Sequence, residues 1–164
     1  MTGMDVRLGR LEDLAAIERL RFQVGRVVDE FANDAGALDA LGELVTTDYS
    51  WAFAGPTDTA AAPAAPRSTT SAAEFAAMLK GLAGRLTFSL QFLAGGIVDL
   101  EVSGDGAVGV WVVWHPFTLD GRAWVLAGRS HDHFVRGASG WRLSSTRLEV
   151  SLLSPWEADW AQGQ

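Results

Sequence analysis

The sequence has no cysteine among its 164 residues. Without thiols the chain cannot form disulfide bonds, use a cysteine nucleophile or bind a metal through thiolates. It also has no apolar run close to the roughly 20 residues that a membrane-spanning helix needs. Its beginning, MTGMDVRLGRLED, does not have the apolar core of a signal peptide. We therefore expect a cytoplasmic protein that has no membrane partner.

Positive charge is scarce as well. The chain has 13 Lys and Arg residues against 20 Asp and Glu residues, which gives a net charge of -7. A negative surface repels nucleic-acid phosphates and anionic lipids, so neither is an expected partner. The remaining composition, with 48% hydrophobic and 20% charged residues, is typical of a globular protein. The length fits a single domain over residues 1–164.

The first half of the chain predicts helices. Apolar residues recur at three- and four-residue steps over 11–32 and again over 35–45, which predicts two helices that each have one apolar face. Ser71 and Glu74 form the pattern of a capping box at the start of a third helix. The segment 55–70 has three prolines and few large apolar side chains, so it predicts a flexible loop.

The second half of the chain predicts strands. After residue 86, segments rich in Val, Trp, Leu and Phe are separated by glycine-containing turns, and such short links join antiparallel neighbours. A further short strand is expected over 49–54. The pair Gly95-Gly96 predicts a bulge, and the serine and proline at the start of 154–157 predict a last helical turn.

This order of elements indicates an α+β fold. Long strands twist and curl, so we expect a curved antiparallel sheet that the N-terminal helices wrap into a cone. The mouth of such a cone admits a small molecule, and we therefore expect an apolar pocket. Exposed strand faces rich in Val and Trp favour a homodimer that forms through the sheet.

The sequence resembles the SnoaL-like branch of the nuclear transport factor 2-like superfamily in three stretches, LEDLAAIERLRFQV, LDALGELVTTDYSW and GRSHDHFVRGASGWRLSSTRLEV. This branch includes polyketide cyclases, and it is related to ketosteroid isomerase and scytalone dehydratase. The resemblance implies the cone-shaped α+β barrel over nearly the whole chain except 55–70. It implies the chemistry less closely, because the superfamily includes isomerases, dehydratases, cyclases and non-catalytic subunits.

The resemblance also implies positions for site residues. Ketosteroid isomerase has a pocket acid eight residues before the glycine of its last hairpin, which corresponds to Asp132 when counted back from Gly140. The general-base carboxylate of the first strand corresponds to a position near Phe53, and the dehydratase histidine corresponds to Gln91. Because neither residue can fill those roles, we do not expect ordinary steroid isomerase or scytalone dehydratase chemistry.

Asp132 is the first candidate catalytic residue. It alternates with two histidines along its strand, so it shares a face with Ser130 and Phe134, and the apolar Phe134 indicates that this face lines the cone. A carboxyl group in an apolar cone loses hydration, which favours its protonated form and suits it to proton transfer. The alternative is a carboxylate that pairs with an arginine such as Arg129 or Arg147.

Two other side chains are candidates for proton transfer or for polarising a substrate oxygen. His115 ends a strand rich in Trp and could act as a general base, while Tyr49 could polarise a carbonyl. Each has a structural alternative, as a hydrogen-bonded histidine at a strand end or a packed aromatic ring. The residues expected to bind substrate along the pocket wall are Trp51, Phe53, Gln91, Trp111, Ser130 and Phe134.

Two patterns resemble cofactor sites without predicting one. His115, His131 and His133 could bind zinc, but no acidic fourth ligand is obvious. The stretch 104–109 matches the pattern GxGxxG, but it leads into a strand, whereas the dinucleotide fingerprint needs a helix at that place. We interpret this stretch as a hairpin turn, and we expect neither a metal nor a cofactor.

Together these observations favour a cofactor-independent small-molecule enzyme of the cyclase, isomerase or dehydratase type. We expect an apolar, polyketide- or terpenoid-like substrate, as in secondary metabolism, with Asp132 as acid or base and an apolar wall that orients the substrate. Two alternatives stay open. One is a non-catalytic ligand-binding domain, which Phe53 and Gln91 favour, and the other is the small partner subunit of an oxygenase.

Overall fold

The structure is a computed structural model that describes residues 3–55 and 67–156. The helices are α1 (Gly3–Phe31), a 3-10 helix (Ala35–Ala40), α2 (Leu41–Leu44) and α3 (Ala72–Lys80). The strands are β1 (Val45–Ala54), β2 (Ser68–Thr69), β3 (Leu86–Ser89), β4 (Phe92–Leu100), β5 (Gly106–Leu119), β6 (Arg122–Gly137) and β7 (Gly140–Pro155). Helices and a curled sheet thus form the α+β cone that the sequence predicts.

The helices differ from the sequence prediction mainly at their ends. Helix α1 begins at Gly3, earlier than predicted, and the second helical segment divides into the 3-10 helix and α2. The 3-10 helix begins where the Asp34 carboxylate accepts a hydrogen bond from the Gly36 N–H at 2.9 Å. The serine cap of the predicted capping box is confirmed, since Ser71 Oγ accepts from the Glu74 N–H at 3.1 Å. The Glu74 carboxylate, however, accepts from the Thr70 N–H at 2.7 Å and not from that of Ser71.

The sheet has the strand order β2-β1-β7-β6-β5-β3, and β4 also pairs with β5. Among the described strands, every pairing is antiparallel except that of β1 with β7, which is parallel. The prediction of a wholly antiparallel sheet is therefore wrong for this one pair. Short turns fix the direction of consecutive strands, but no hairpin joins β1 to β7, so their relative direction follows from the closure of the cone.

A bulge in β4 bends the sheet where the sequence predicts it. The register with β5 shifts between Ala94 and Ile97, and Gly95 has a positive φ of 62°. Gly96 leaves room for the Trp111 ring, because a Cβ atom there would lie 2.0 Å from Trp111 Cζ3. The GxGxxG stretch forms the turn between β4 and β5 and the start of β5, as the hairpin interpretation requires.

Two local predictions are corrected by the structure. Within the predicted loop 55–70, residues 68 and 69 form β2 against β1, while residues 56–66 lie outside the described part of the chain. The predicted helical turn at 154–157 is strand up to Pro155, because β7 stays paired with β6 as far as the Trp124–Pro155 pair. Position 157 itself lies outside the described residues.

The core lies between α1 and the concave face of the sheet. The apolar stripe of α1 is almost fully buried and comprises Ile17, Leu20, Val24, Val27 and Phe31. Each such side chain contributes about 1.5–3 kcal/mol when it leaves water, so this stripe fixes the helix against the sheet. No helix in the described part of the chain is long and apolar enough to cross a membrane.

Candidate active site

A cavity of about 200 Å³ opens inside the cone, between α1, α3 and the sheet. Its wall is mainly apolar and includes Val24, Val28, Trp51, Phe53, Phe75, Met78, Phe117 and Leu126. An apolar cavity of about 150 Å³ is large enough to bind benzene. This cavity therefore has room for one substituted ring or a compact pair of rings.

Most of the site residues expected from the sequence line this cavity. They are Tyr49, Trp51, Phe53, Gln91, His115 and Ser130. Trp111 and Phe134 are buried on the same side of the sheet, but they pack around Gly109 and do not line the cavity. Asp132 also lies outside the lining, behind Ser130 and Arg21.

Asp132 forms an ion pair that the sequence did not reveal. Its Oδ2 lies 2.6 Å from Arg21 Nε, and its Oδ1 accepts from Ser130 Oγ at 2.7 Å. The partner is thus Arg21 of α1, whereas Arg129 and Arg147 are exposed. The sequence does carry an indirect sign that Arg21 has a buried partner. Position 21 falls on the apolar stripe of α1, where an unpaired charge would be costly.

A second hydrogen-bonded chain ends at His115. The Asp29 carboxylate of α1 accepts from Ser89 Oγ at 2.7 Å, and Ser89 Oγ lies 2.9 Å from His115 Nε2. The other carboxylate oxygen of Asp29 accepts from the Gln91 N–H at 2.9 Å. Asp29 and Ser89 were not among the predicted residues. Only the folding of α1 against β3 and β5 brings them to the histidine.

Hydrogen-bond chemistry determines the tautomer of His115. An ionised carboxylate only accepts, so the single hydroxyl proton of Ser89 is directed to Asp29. The Ser89 oxygen must then accept from His115, which places the ring proton on Nε2 and leaves the Nδ1 lone pair for another partner. His115 lines the cavity and is half-buried, and the loss of hydration there lowers its pKa to about 4. The ring is therefore neutral at physiological pH.

Burial affects two other groups near the site. It raises the pKa of Tyr49, whose ring packs edge-on against Phe75 at a centroid distance of 5.2 Å. The phenol therefore stays protonated and can donate a hydrogen bond. Burial also raises the pKa of Asp29, and the donors Gln91 N–H and Ser89 Oγ oppose this effect because they stabilise the carboxylate.

The other two histidines lie on the opposite side of β6 from Asp132. His131 and His133 are partly or fully exposed, and His131 Nε2 lies 3.2 Å from Glu149 Oε2. The alternation of faces along this strand is as predicted. Among residues 3–55 and 67–156, no group of three or more His, Asp or Glu side chains is arranged to hold a metal ion.

Comparison with known proteins places the chain in a family. The model of the SnoaL-like domain family matches residues 9–147, whereas no curated protein matches the sequence. A Kribbella flavida protein has 22% identity and a TM-score of 0.71, with 88% of this chain and 95% of that chain covered.

Two enzyme-related structures have a similar fold. The hexachlorocyclohexane dehydrochlorinase LinA-type3 of Novosphingobium barchaimii has 17% identity and a TM-score of 0.73, over 93% of this chain and 95% of that one. A scytalone dehydratase-like protein of Novosphingobium aromaticivorans has 17% identity and a TM-score of 0.70, over 91% of each chain. Since the family model spans most of the sequence, the protein belongs to the SnoaL-like domain family and has the nuclear transport factor 2-like fold.

Proposed function

We propose that the protein is a cofactor-independent enzyme that moves a proton on a small apolar substrate, in a cyclase-, isomerase- or dehydratase-type reaction. The observation that supports this most strongly is the neutral His115 on the wall of an apolar cavity, held through Ser89 by the Asp29 carboxylate. The contacts through Ser89 to Asp29 fix the orientation and tautomer of the ring, which a general base needs for proton transfer.

In this proposal His115 takes the proton through Nδ1. The low pKa keeps the base free of protons at neutral pH but also makes it weak. The negative charge of Asp29, which Ser89 connects to the ring, compensates because it stabilises the imidazolium as it forms. The apolar wall excludes water and orients the substrate, which contributes further to the rate.

Asp132 has a different role in this proposal from a simple acid or base. Its carboxylate is held by Arg21 and Ser130 and lies behind them, so it orients Arg21 toward the cavity. Arg21 then polarises the substrate oxygen. The cavity volume limits the substrate to one or two rings, at the small end of polyketide or terpenoid chemistry.

We also propose that two copies pair through the outer face of the sheet. Large apolar side chains on this face are exposed, including Val112 at 52% and Trp114 at 41%. Val108 on the same strand, Ile97 on β4 and Leu152 on β7 are exposed as well. Exposed apolar side chains grouped on β4 and β5 of an isolated chain are typical of a subunit interface.

Hydrogen–deuterium exchange distinguishes an enzyme from a ligand-binding domain without knowledge of the substrate. The protein is incubated in D2O with a panel of one- and two-ring ketones, and deuterium at the carbon next to the carbonyl is followed by NMR. An enzyme that removes this proton accelerates exchange of at least one ketone above the buffer rate. Saturable binding without accelerated exchange would instead support the non-catalytic alternative.

A further inference from the structure

We infer that Arg67, at the mouth of the cavity, forms a subsite for a carboxylate, so that the substrate is a small ring compound that carries an acid group. This inference rests on the proposed function and specifies its substrate. The apolar ring occupies the cavity, and the carboxylate stays at the entrance. Arg67 lines the cavity and is half-buried, as a residue at an entrance would be.

Strand β1 shows which end of the cavity opens to solvent. Tyr49, Trp51 and Phe53 alternate along this strand, so they share its inner face, and all three line the cavity. Tyr49 is 1% exposed, whereas Trp51 and Phe53 are half-buried. The cavity is therefore deep at Tyr49 and opens toward Phe53. Arg67 lies at this open end, because its Cζ is 5.4 Å from the centre of the Phe53 ring.

Three contacts hold Arg67 in place. Its backbone carbonyl accepts from the Phe53 N–H at 2.7 Å, one residue before β2 begins. Its Nη1 donates to the Gly55 carbonyl oxygen at 3.3 Å, and its guanidinium lies over the Phe53 ring, which attracts a cation. A side chain that is already held loses less conformational freedom when a ligand binds, which favours affinity.

The charges along the cavity wall favour an anionic group at this end. The described residues that line the cavity include two arginines and no aspartate or glutamate. Arg21 lies at the deep end, where Asp132 compensates its charge at 2.6 Å. Arg67 lies at the mouth, so the described wall has a positive charge there and no carboxylate. A ligand that is apolar at one end and anionic at the other matches this distribution.

The geometry of a guanidinium suits a carboxylate. Its planar fork of N–H donors matches the two oxygens of a carboxylate. It has five such donors and can bind more than one acceptor, so the hydrogen bond from Arg67 to Gly55 is compatible with a bound acid. One arginine balances the single charge of a carboxylate, whereas a phosphate monoester carries about 1.5 to 2 negative charges.

The half-buried position makes this pairing favourable. Deep in the cavity a carboxylate would lose its hydration, which costs more than one ion pair returns. At the mouth it keeps contact with water, while the apolar wall strengthens its attraction to Arg67 relative to bulk water. The acid group thus anchors the substrate from outside, and the ring enters first. This anchoring orients the ring inside the cavity, whose wall includes His115.

Three probes that share a benzyl group and differ in charge test the subsite: phenylacetate, phenylacetamide and 2-phenylethylammonium. In calorimetry at pH 7, wild-type protein should bind phenylacetate about ten-fold more tightly than phenylacetamide, the scale of a charge-assisted hydrogen bond, and should bind the cation most weakly. Arg67→Gln should lower phenylacetate to the affinity of the amide and leave phenylacetamide binding unchanged. Arg67→Lys keeps the charge and should keep the preference for the acid.

Arg122→Gln is the matched control. Arg122 also lies over an aromatic ring, with its Cζ 4.9 Å from the centre of the Trp124 ring, but it lies outside the described cavity lining. This variant changes the net charge of the protein by the same amount as Arg67→Gln does. It should leave the affinities for all three probes unchanged.

Each result has a defined meaning. Equal affinity for acid and amide, preference for the ammonium, or no binding of any probe would overturn the subsite in the wild type. An equal effect of Arg67→Gln on acid and amide would also overturn it, because the side chain would then only shape the wall. Loss of the acid preference in Arg122→Gln would assign it to net charge and not to Arg67. Acid preference without accelerated deuterium exchange in the ketone panel would contradict the proposed function but support the subsite.

Discussion

Arg21 Nε lies 2.6 Å from Asp132 Oδ2, and the two side chains are 7% and 0% exposed. This pair joins α1 to β6 across the concave face of the sheet. A buried pair of this kind contributes little net stability compared with apolar side chains, but the loss of one partner leaves a buried charge uncompensated.

Asp132→Asn is therefore expected to destabilise the fold. The amide keeps the shape but leaves the guanidinium charge without a counterion, which should lower the free energy of unfolding by about 3 kcal/mol. The melting temperature should fall by roughly 10 °C for a chain of this size. Urea unfolding monitored by tryptophan fluorescence measures the change, and the double variant Arg21→Met with Asp132→Leu should recover most of the lost stability. A single variant as stable as wild type would show that the pair is not buried as described.

The half-buried His115 predicts a specific pH dependence of stability. Its pKa is lowered from 6.5 to about 4 in the folded protein. As the pH falls, the unfolded chain takes up a proton at this histidine before the folded chain does. The stability that the neutral His115 contributes is therefore complete above pH 6.5 and is lost as the pH falls toward 4. The full difference corresponds to about 3 kcal/mol.

Comparison with His115→Gln isolates this effect, because Asp29 and the surface acids titrate in both proteins. The stability difference between wild type and variant, measured by urea unfolding from pH 7 to pH 4, should move in favour of the variant as the pH falls. A difference that does not vary with pH would mean that His115 is protonated as readily in the folded chain as in the unfolded one.

Ser89→Ala should allow His115 to populate both of its neutral tautomers. In the wild type the chain from Asp29 through Ser89 places the proton on Nε2. Nitrogen-15 NMR of the histidine ring distinguishes the two tautomers, and we expect pure Nε2–H in the wild type and a mixture in the variant. The exposed His133 serves as the internal reference. Ser89→Thr keeps the hydroxyl and should restore the wild-type spectrum, whereas an unchanged spectrum in Ser89→Ala would remove Ser89 from the proposed mechanism.

Val112→Glu tests the proposed interface between copies. Val112 is 52% exposed on the outer face of β5, where a glutamate would bury a charge if two copies pair. Sedimentation equilibrium at micromolar concentration should give twice the chain mass for wild type and the single chain mass for the variant. Wild-type protein that sediments as a single chain would disprove the interface.

The sequence predicts local features of this protein better than distant contacts. The apolar stripe of α1, the Ser71–Glu74 cap and the bulge at Gly95 all depend on neighbouring residues, so period and turn chemistry were sufficient to find them. The direction of β1 beside β7 was not predicted, because it depends on the closure of the whole sheet.

The candidate site was predicted only in part for the same reason. The alternation of β6 correctly placed Ser130 and Asp132 on the inner face. Arg21, however, meets Asp132 across 111 positions of sequence, and Asp29 meets Ser89 across 60. No pattern of neighbouring residues indicates which residues so far apart in sequence will meet. The useful signal was indirect: a charged residue on an otherwise apolar helix stripe requires a buried partner.

We propose that His115 removes a proton from a substrate in this cavity, and deuterium exchange into ketones in D2O measures this step most directly. Wild-type protein should accelerate exchange of at least one compound in the panel, and His115→Gln should reduce that rate by about 100-fold or more, the usual scale for a general base. His131→Gln, which changes a histidine on the outer face, should leave the rate unchanged. Equal rates in wild type and His115→Gln would contradict the account.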